Sequence, residues 1–370
     1  MEYLKLVRKN KEAVIYELRG EYGDSMVRYV ASTPESREVC NRPEIMGVRY
    51  TDLLESAITS VLVNFPPASA IRTLDPRSIG VVHFLRGSLN FGMRRALARA
   101  YGFNIHSSSF ITSQREKDKY GRWFIKDNQY RKILIPPNGT LFFADVIATG
   151  ITISNGMDII VNLAKNSGTP IRQVFFFTIG CHKLEKLLRE YHAMLRQLFP
   201  RYERTCAVYL EGKFHLADSK AAVKIKIQGT DLMRSPCLLA PEFELSQYES
   251  IYYPLERCVI YDAGTRAYDI EDYLGKLEAY WRELRHLAET GWTLEDALHE
   301  RWPEDEYRLP FEEFKAVKSK QWQGVSEAFL EKLYAAHRRR WTTAFRKKVE
   351  TPQALIDLCD SRLTRLSRVL

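Results

Sequence analysis

Through the middle of the chain, short apolar runs alternate with amphipathic stretches. Ile79–Leu85, Leu141–Ile147, Gln173–Ile179 and Thr205–Leu210 are uninterrupted enough to predict strands buried on both faces. Between them, Phe91–Tyr101, Ser154–Lys165 and Lys183–Leu198 carry helical spacing, with Gly102 and Gly168 as stops. Ile105–Thr112 and Trp123–Ile135 read as extended, and Asn138-Gly139 marks a turn. Strand and helix in this rhythm predict an α/β fold with a doubly wound, mainly parallel sheet over residues 75–267.

The flanks read differently. Ala13–Leu18 and Met26–Ala31 have strand character, and Thr51–Phe65 predicts a helix capped by Thr51 and ended by Pro66 and Pro67. Residues 1–74 are therefore expected to form a cover or an oligomer contact, with a homo-oligomer as the expected assembly. From 268 onward the pattern turns helical: Ile270–Thr290, Leu294–Arg301 and Phe311–Val349, with Thr293 and Thr351 as N-caps. Phe329, Leu333, His337, Trp341 and Phe345 recur every four residues, the stripe of a packed helix face. Residues 268–370 are expected to be a basic helical domain.

Composition narrows the class. A chain of 370 residues with 45% hydrophobic and 27% charged content has the balance of a globular protein. Six cysteines without C-x-x-C spacing argue against a structural zinc and for a reducing, cytoplasmic setting. No run reaches membrane-spanning length, and the first thirty residues lack a signal-peptide pattern. A net charge of +9 suits polyanionic partners, either nucleic acid or phosphate-rich small molecules. Arg338-Arg339-Arg340 and Arg346-Lys347-Lys348 are the basic clusters a nucleic acid could meet, although faces of this size are usually just solvated.

The chemistry concentrates at Leu141–Thr152. A buried strand ends in a carboxylate, Asp145, and turns through Ala148, Thr149, Gly150, Ile151 and Thr152 into a helix. Backbone N–H groups at such a turn, beside two threonine hydroxyls, form a phosphate cradle. The acid before it suits a sugar hydroxyl or a hydrated Mg²⁺. Arg86-Gly87-Ser88 follows another buried strand, so both glycine-bearing loops are expected at one crevice. His83, in a buried run, reads as a satisfied core histidine.

These segments resemble the phosphoribosyl-pyrophosphate (PRPP) signature of type I phosphoribosyltransferases. Asp145-Val146-Ile147-Ala148-Thr149-Gly150-Ile151-Thr152 is similar to that family's acidic strand end and Thr-Gly-x-Thr loop. Arg86-Gly87-Ser88 stands where the family keeps its pyrophosphate loop. The polar run Arg115–Arg122 resembles the flexible loop of orotate enzymes, and Asp262-Ala263-Gly264-Thr265-Arg266 the base-binding stretch of uracil enzymes. The resemblance implies PRPP as co-substrate with Mg²⁺. Residues 148–152 would hold the 5′-phosphate, Asp145 the ribose diol and Arg86–Ser88 the pyrophosphate. Arg115, Lys117 and Lys119 would close over the leaving group, and Asp262 and Arg266 would stand near the base. Ala144 occupies the place of the family's first acid and Ile151 that of its small loop residue. The expected activity is ribosyl phosphate transfer to a nucleobase or related acceptor. The alternative is a PRPP or nucleotide sensor that contacts nucleic acid through its basic tail.

Overall fold

A computed structural model describes every residue except 1, 21–25, 86, 113, 118, 120–122, 128–129, 149, 218–222, 226–231, 258–262, 304–307, 341 and 370, and leaves the side chains of 114–117, 123–127 and 263 undescribed. Three strands come first: β1 (Tyr3–Lys9), β2 (Val14–Arg19) and β3 (Val27–Ser32). Helices α1 (Pro34–Asn41), α2 (Gly47–Asn64) and α3 (Ala68–Arg72) lead to β4 (Ile79–Leu85). After a 3-10 turn at Gly87–Phe91 come α4 (Met93–Tyr101), β5 (Ser107–Thr112), β6 (Gln114–Lys117), β7 (Trp123–Asp127) and β8 (Arg131–Lys132). The run β9 (Gly139–Ile147), α5 (Ile151–Ser167), β10 (Ile171–Cys181), α6 (His182–Leu198) and β11 (Arg204–Leu216) follows. Next are β12 (Leu232–Leu239), α7 (Pro241–Ser246), α8 (Ala263–Tyr268), α9 (Ile270–Glu289) and α10 (Leu294–Arg301). The last elements are α11 (Phe311–Gln321), β13 (Trp322–Gln323), α12 (Glu327–Arg340), α13 (Thr343–Val349) and α14 (Pro352–Leu366).

The strands form a large, mostly parallel sheet in the order β13-β1-β2-β3-β11-β10-β9-β4-β5-β8, with β12 paired to β11. From β3 to β5 every pairing is parallel. Numbered within themselves, the five strands β4, β5, β9, β10 and β11 stand in the order 2-1-3-4-5, a doubly wound arrangement.

Aromatic ladders across β9 and β10 hold the centre. Phe142 stacks on Phe175 at 5.0 Å, and Phe143 on Phe176 at 5.4 Å. Successive strand residues point to opposite faces, so the two stacks lie on opposite sides of the sheet. On one side Phe65, at the end of α2, meets Phe175 and Phe177 edge-on. On the other, Phe84 stacks on Phe143 at 5.8 Å and lies against Gly156 of α5. Helices therefore cover both faces of this α/β fold.

The flanks depart from their sequence reading. Residues 1–74 do not merely cover the sheet: β3 pairs with β11 inside it, because Val30 and Ala31 are fully buried there. Thr51 does not cap α2, which begins at Gly47; its hydroxyl donates to the Val48 carbonyl inside the helix. The expected single helix 311–349 is broken at Trp322–Gly324, where β13 pairs with β1 and Gly324 takes φ +85°. Phe314, Trp322, Leu330 and Leu333 accordingly join the sheet's core. A second core is built mainly by α9, α10 and α14, around Trp281, Leu277 and Leu355. Thr293 and Thr351 do cap α10 and α14, accepting from the Asp296 and Ala354 N–H groups.

Between the two cores sits a buried charge cluster. Arg362, only 2% exposed, pairs with Glu256 and with Glu44, and its guanidinium lies 4.3 Å from the Tyr252 ring. No helix among the described residues is long and apolar enough to cross a membrane.

The contact under α5 yields a test. A Cβ on Gly156 would fall 2.0 Å from Phe84 Cε1, and the stacked Phe143 ring stops Phe84 from giving way. Gly156→Ala is expected to lower stability by about 1–3 kcal/mol through overpacking, read as a lower denaturant midpoint.

Candidate functional site at the β4–β9 switch point

β4 and β9 lie side by side, yet the chain leaves them in opposite directions along the sheet, from β4 towards β5 and from β9 towards β10. At such a point the two departing loops splay and leave a crevice at the strands' carboxyl ends. Gly87 and Ser88 bound it on one side and Asp145 and Gly150–Thr152 on the other, so the two loops singled out from the sequence meet. The approach is close: a Cβ on Gly87 would lie 2.5 Å from Asp145 Oδ1. A side chain at position 87 would have to displace that carboxylate. Asp145 is 9% exposed, and its Oδ1 also accepts the Val146 N–H at 2.8 Å. Ser88 is buried behind the turn. Arg86 and Thr149 lie outside the described residues.

The helix after this strand starts earlier than the sequence suggests. α5 begins at Ile151, not Ser154, and Gly150 is its N-cap with φ +78°, a left-handed conformation that glycine adopts at no steric cost. This places Ile151 and Thr152 in the first turn, whose N–H groups have no partner within the helix. The first turn holds no acid, and no described side chain caps it. Both features favour an anion there. Ile151, bulky for a tight loop, is accommodated as the first helical residue and is half-buried. The loop is tied to the neighbouring strand by Cys181, whose thiol donates to the Ala148 carbonyl at 3.1 Å.

The expected flexible loop is in part a two-stranded ribbon. β6 pairs antiparallel with β7, Arg115 opposite Ile125 and Lys117 opposite Trp123, and β7 packs against α5. The side chains of Arg115 and Lys117 lie outside the described residues; Lys119 is exposed.

The expected base-binding stretch also reaches this region, since α8 packs against the turn Gly87–Phe91 and against α2. Asp262 lies outside the described residues. Arg266 is anchored in a structural role. It is 2% exposed, donates to the carbonyls of Ile45 (2.7 Å), Arg42 (2.8 Å) and Val39 (3.2 Å), and lies 4.3 Å from the Tyr50 ring. Burial pushes the Tyr50 phenol up to about 12, with Arg266 opposing and the Asp145 carboxylate adding to the shift. Arg266 thus packs on Tyr50, and Tyr50 is near enough to feel the Asp145 charge. His83 is buried and stacks on Phe110 at 5.0 Å, but neither ring nitrogen has a hydrogen-bond partner among the described residues, contrary to the expectation of a satisfied histidine.

Sequence reasoning missed Glu211 in the middle of β11. It is fully buried and sits at φ +65°, where a non-glycine residue is strained by about 1–2 kcal/mol. Its carboxylate accepts from Ser32 Oγ (2.7 Å), from the Thr33 N–H (3.1 Å) and from Ser36 Oγ, at the start of α1. Set between Leu210 and Gly212, it reads in the sequence as a strand end; its weak signal is an acid at the tip of an apolar run. Burial raises its carboxyl from the ordinary 4.5 to about 7, against the opposing pull of Arg37 and the hydroxyls of Ser36 and Ser32.

Between those values the folded chain keeps a proton that the unfolded chain has released, so this group's contribution to stability falls as pH rises from 4.5 to about 7. Glu211→Gln cannot titrate and is expected to flatten that fall in a series of unfolding curves; identical pH profiles for the two proteins would exclude this carboxyl as its source. Compared with protein-family models and with curated protein sequences, the chain has no match, which leaves its function to be argued from the crevice itself.

Proposed function

We propose that the chain binds PRPP at the β4–β9 crevice and transfers its ribosyl phosphate to a nucleobase or related acceptor, releasing pyrophosphate. The observation that carries the reading is the contact between Gly87 and Asp145 beside the start of α5, which no described side chain caps. PRPP needs two anion sites flanking a diol acceptor. The first turn of α5 would take the 5′-phosphate, Asp145 the ribose hydroxyls, and the backbone of the Arg86–Ser88 turn the pyrophosphate. The strand order 2-1-3-4-5, with both loops at its switch point, supports a phosphoribosyltransferase-like fold.

In the transfer, the C1–oxygen bond breaks and its electron pair leaves with pyrophosphate. A lone pair of the acceptor forms the new bond to C1, and the acceptor's proton passes to solvent or to a base. The transition state is cation-like at C1, so the protein's work is charge stabilisation and exclusion of water. Arg115 and Lys117 on β6, with Lys119 after it, would neutralise the departing pyrophosphate, with Asp262 left as a candidate near the base. The described residues contain no group of three or more metal-ligating side chains, so Mg²⁺ would arrive on the pyrophosphate oxygens, with Asp145 reached through water. Bound there, Mg²⁺ would supply charge neutralisation.

A second reading rests on Ala144. It is 1% exposed within β9, so the position of the family's first acid offers the ligand no polar group. A PRPP or nucleotide sensor would tolerate that loss. Arg338, Arg339, Lys347 and Lys348 are exposed and could contact nucleic acid, whereas Arg340 is committed to the carbonyls of Gln247 and Ser250.

Calorimetry with PRPP and Mg²⁺ tests the shared core of both readings. The wild type is expected to bind, and Asp145→Asn to bind about ten-fold or more weakly, the loss of one charged hydrogen bond. A wild type that does not bind PRPP would falsify the proposal. Pyrophosphate release across a panel of bases supports transfer; PRPP binding without release, together with salt-steep nucleic-acid binding, supports the sensor.

A further inference from the structure

Next to Asp145 stands a residue whose chemistry the crevice has not yet used. β9 and β10 pair without a register break from Thr140 to Ile147, and Asp145 is opposite Thr178. The stacked pair Phe143 and Phe176 lies two residues earlier on the same two strands, so alternation puts Asp145 and Thr178 side by side on that same face. Thr178 is fully buried, and its hydroxyl has no hydrogen-bond partner among the described residues. A buried hydroxyl left unbonded is costly, and strands of this kind fill such positions with valine or isoleucine unless the oxygen has work. Space above it has been kept open: a Cβ on Gly180 would come within 2.7 Å of Thr178 Oγ1 and 3.4 Å of the Ile147 carbonyl. The hydroxyl therefore faces the carboxyl end of its own strand, towards Gly180.

We propose that Thr178 is the positioning residue of Asp145, its hydroxyl donating to the carboxylate once a bound ribose draws that carboxylate away from Gly87. The inference rests on the ribosyl-phosphate reading of the crevice and deepens it. With Ala144 in place of a second acid, one carboxylate must hold the ribose diol alone. The Val146 N–H already holds one of its oxygens, and the Thr178 hydroxyl adds a donor from the neighbouring strand. A hydroxyl without a partner in the free protein and bonded in the complex favours the complex selectively, because its desolvation cost falls on the free state alone.

The experiment measures PRPP affinity, in the presence of Mg²⁺, and thermal stability for the wild type, Thr178→Val, Thr178→Ser and the double variant Thr178→Val/Asp145→Asn. Valine keeps the shape and removes only the hydroxyl. Thr178→Val is expected to bind PRPP about ten-fold more weakly with a Tm no lower than wild type, and Thr178→Ser to restore binding. In the Asp145→Asn background, Thr178→Val should add little, the mark of two groups acting as one. A wild type that binds PRPP while Thr178→Val binds equally well, or loses Tm without losing affinity, overturns the role of Thr178 and leaves the site intact. A wild type that does not bind PRPP overturns the reading of the crevice and this role with it.

Discussion

Two parallel neighbours whose chains depart in opposite directions cannot have their ends closed over by the same helix. This constraint on β4 and β9 organises the molecule. It fixes which faces α4 and α5 cover, and it brings a helix start, a carboxylate and a glycine turn to one opening. The central aromatic ladders serve the same end. Phe84, Phe143 and Phe176 form a continuous stack across three strands and hold the strand ends level, so that Gly87 and Asp145 come into contact. The backbone around this opening is therefore held by the core itself.

The packing of Arg266 on Tyr50 ties the region of Asp145 to the rest of the chain. Arg266 on α8 gathers the carbonyls of Val39, Arg42 and Ile45, which fixes the elbow between α1 and α2 and seats Tyr50 near Asp145. Arg362 on α14 pairs with Glu44 from that same elbow and with Glu256. Removing one member of such a group leaves a buried charge uncompensated, which costs far more than the intact pair contributes. The second core and the crevice thus share a fastening, and a disturbance in α14 has a short physical route to the floor of the site.

What the sequence disclosed followed from burial. β4, β9, β10 and β11 are covered on both faces, so their apolar runs are continuous and readable, and the loops at their ends could be located. β1 was missed because Lys5, Arg8 and Lys9 interrupt an edge strand, and β13 because two residues carry no period. The break at Trp322–Gly324 hid inside a stretch that looked helical from Phe311 onward, since the sheet's need for an edge partner outweighed local helical preference. The start of α5 shifted because Gly150 caps it by conformation and not with a side-chain oxygen. The anchoring of Arg266 could not be read from its neighbours in sequence, because its partners Val39, Arg42, Ile45 and Tyr50 come from far along the chain. Thr178 and Glu211 were illegible for a related reason, since the absence of a partner, or a strained φ, is invisible in a string of letters.

The pairing of β1 with β13 has a consequence for how the molecule is made. Leu4 lies opposite Trp322, so the outer edge of β1 is covered only after the chain has been made as far as Trp322. Contacts of such separation form late, and until then β1 presents unpaired backbone groups to other nascent chains. Its exposed Lys5, Arg8 and Lys9 are suited to that interval. The charges that obscured the strand from the sequence reader are the ones that would deter a neighbouring chain from adding to it during synthesis.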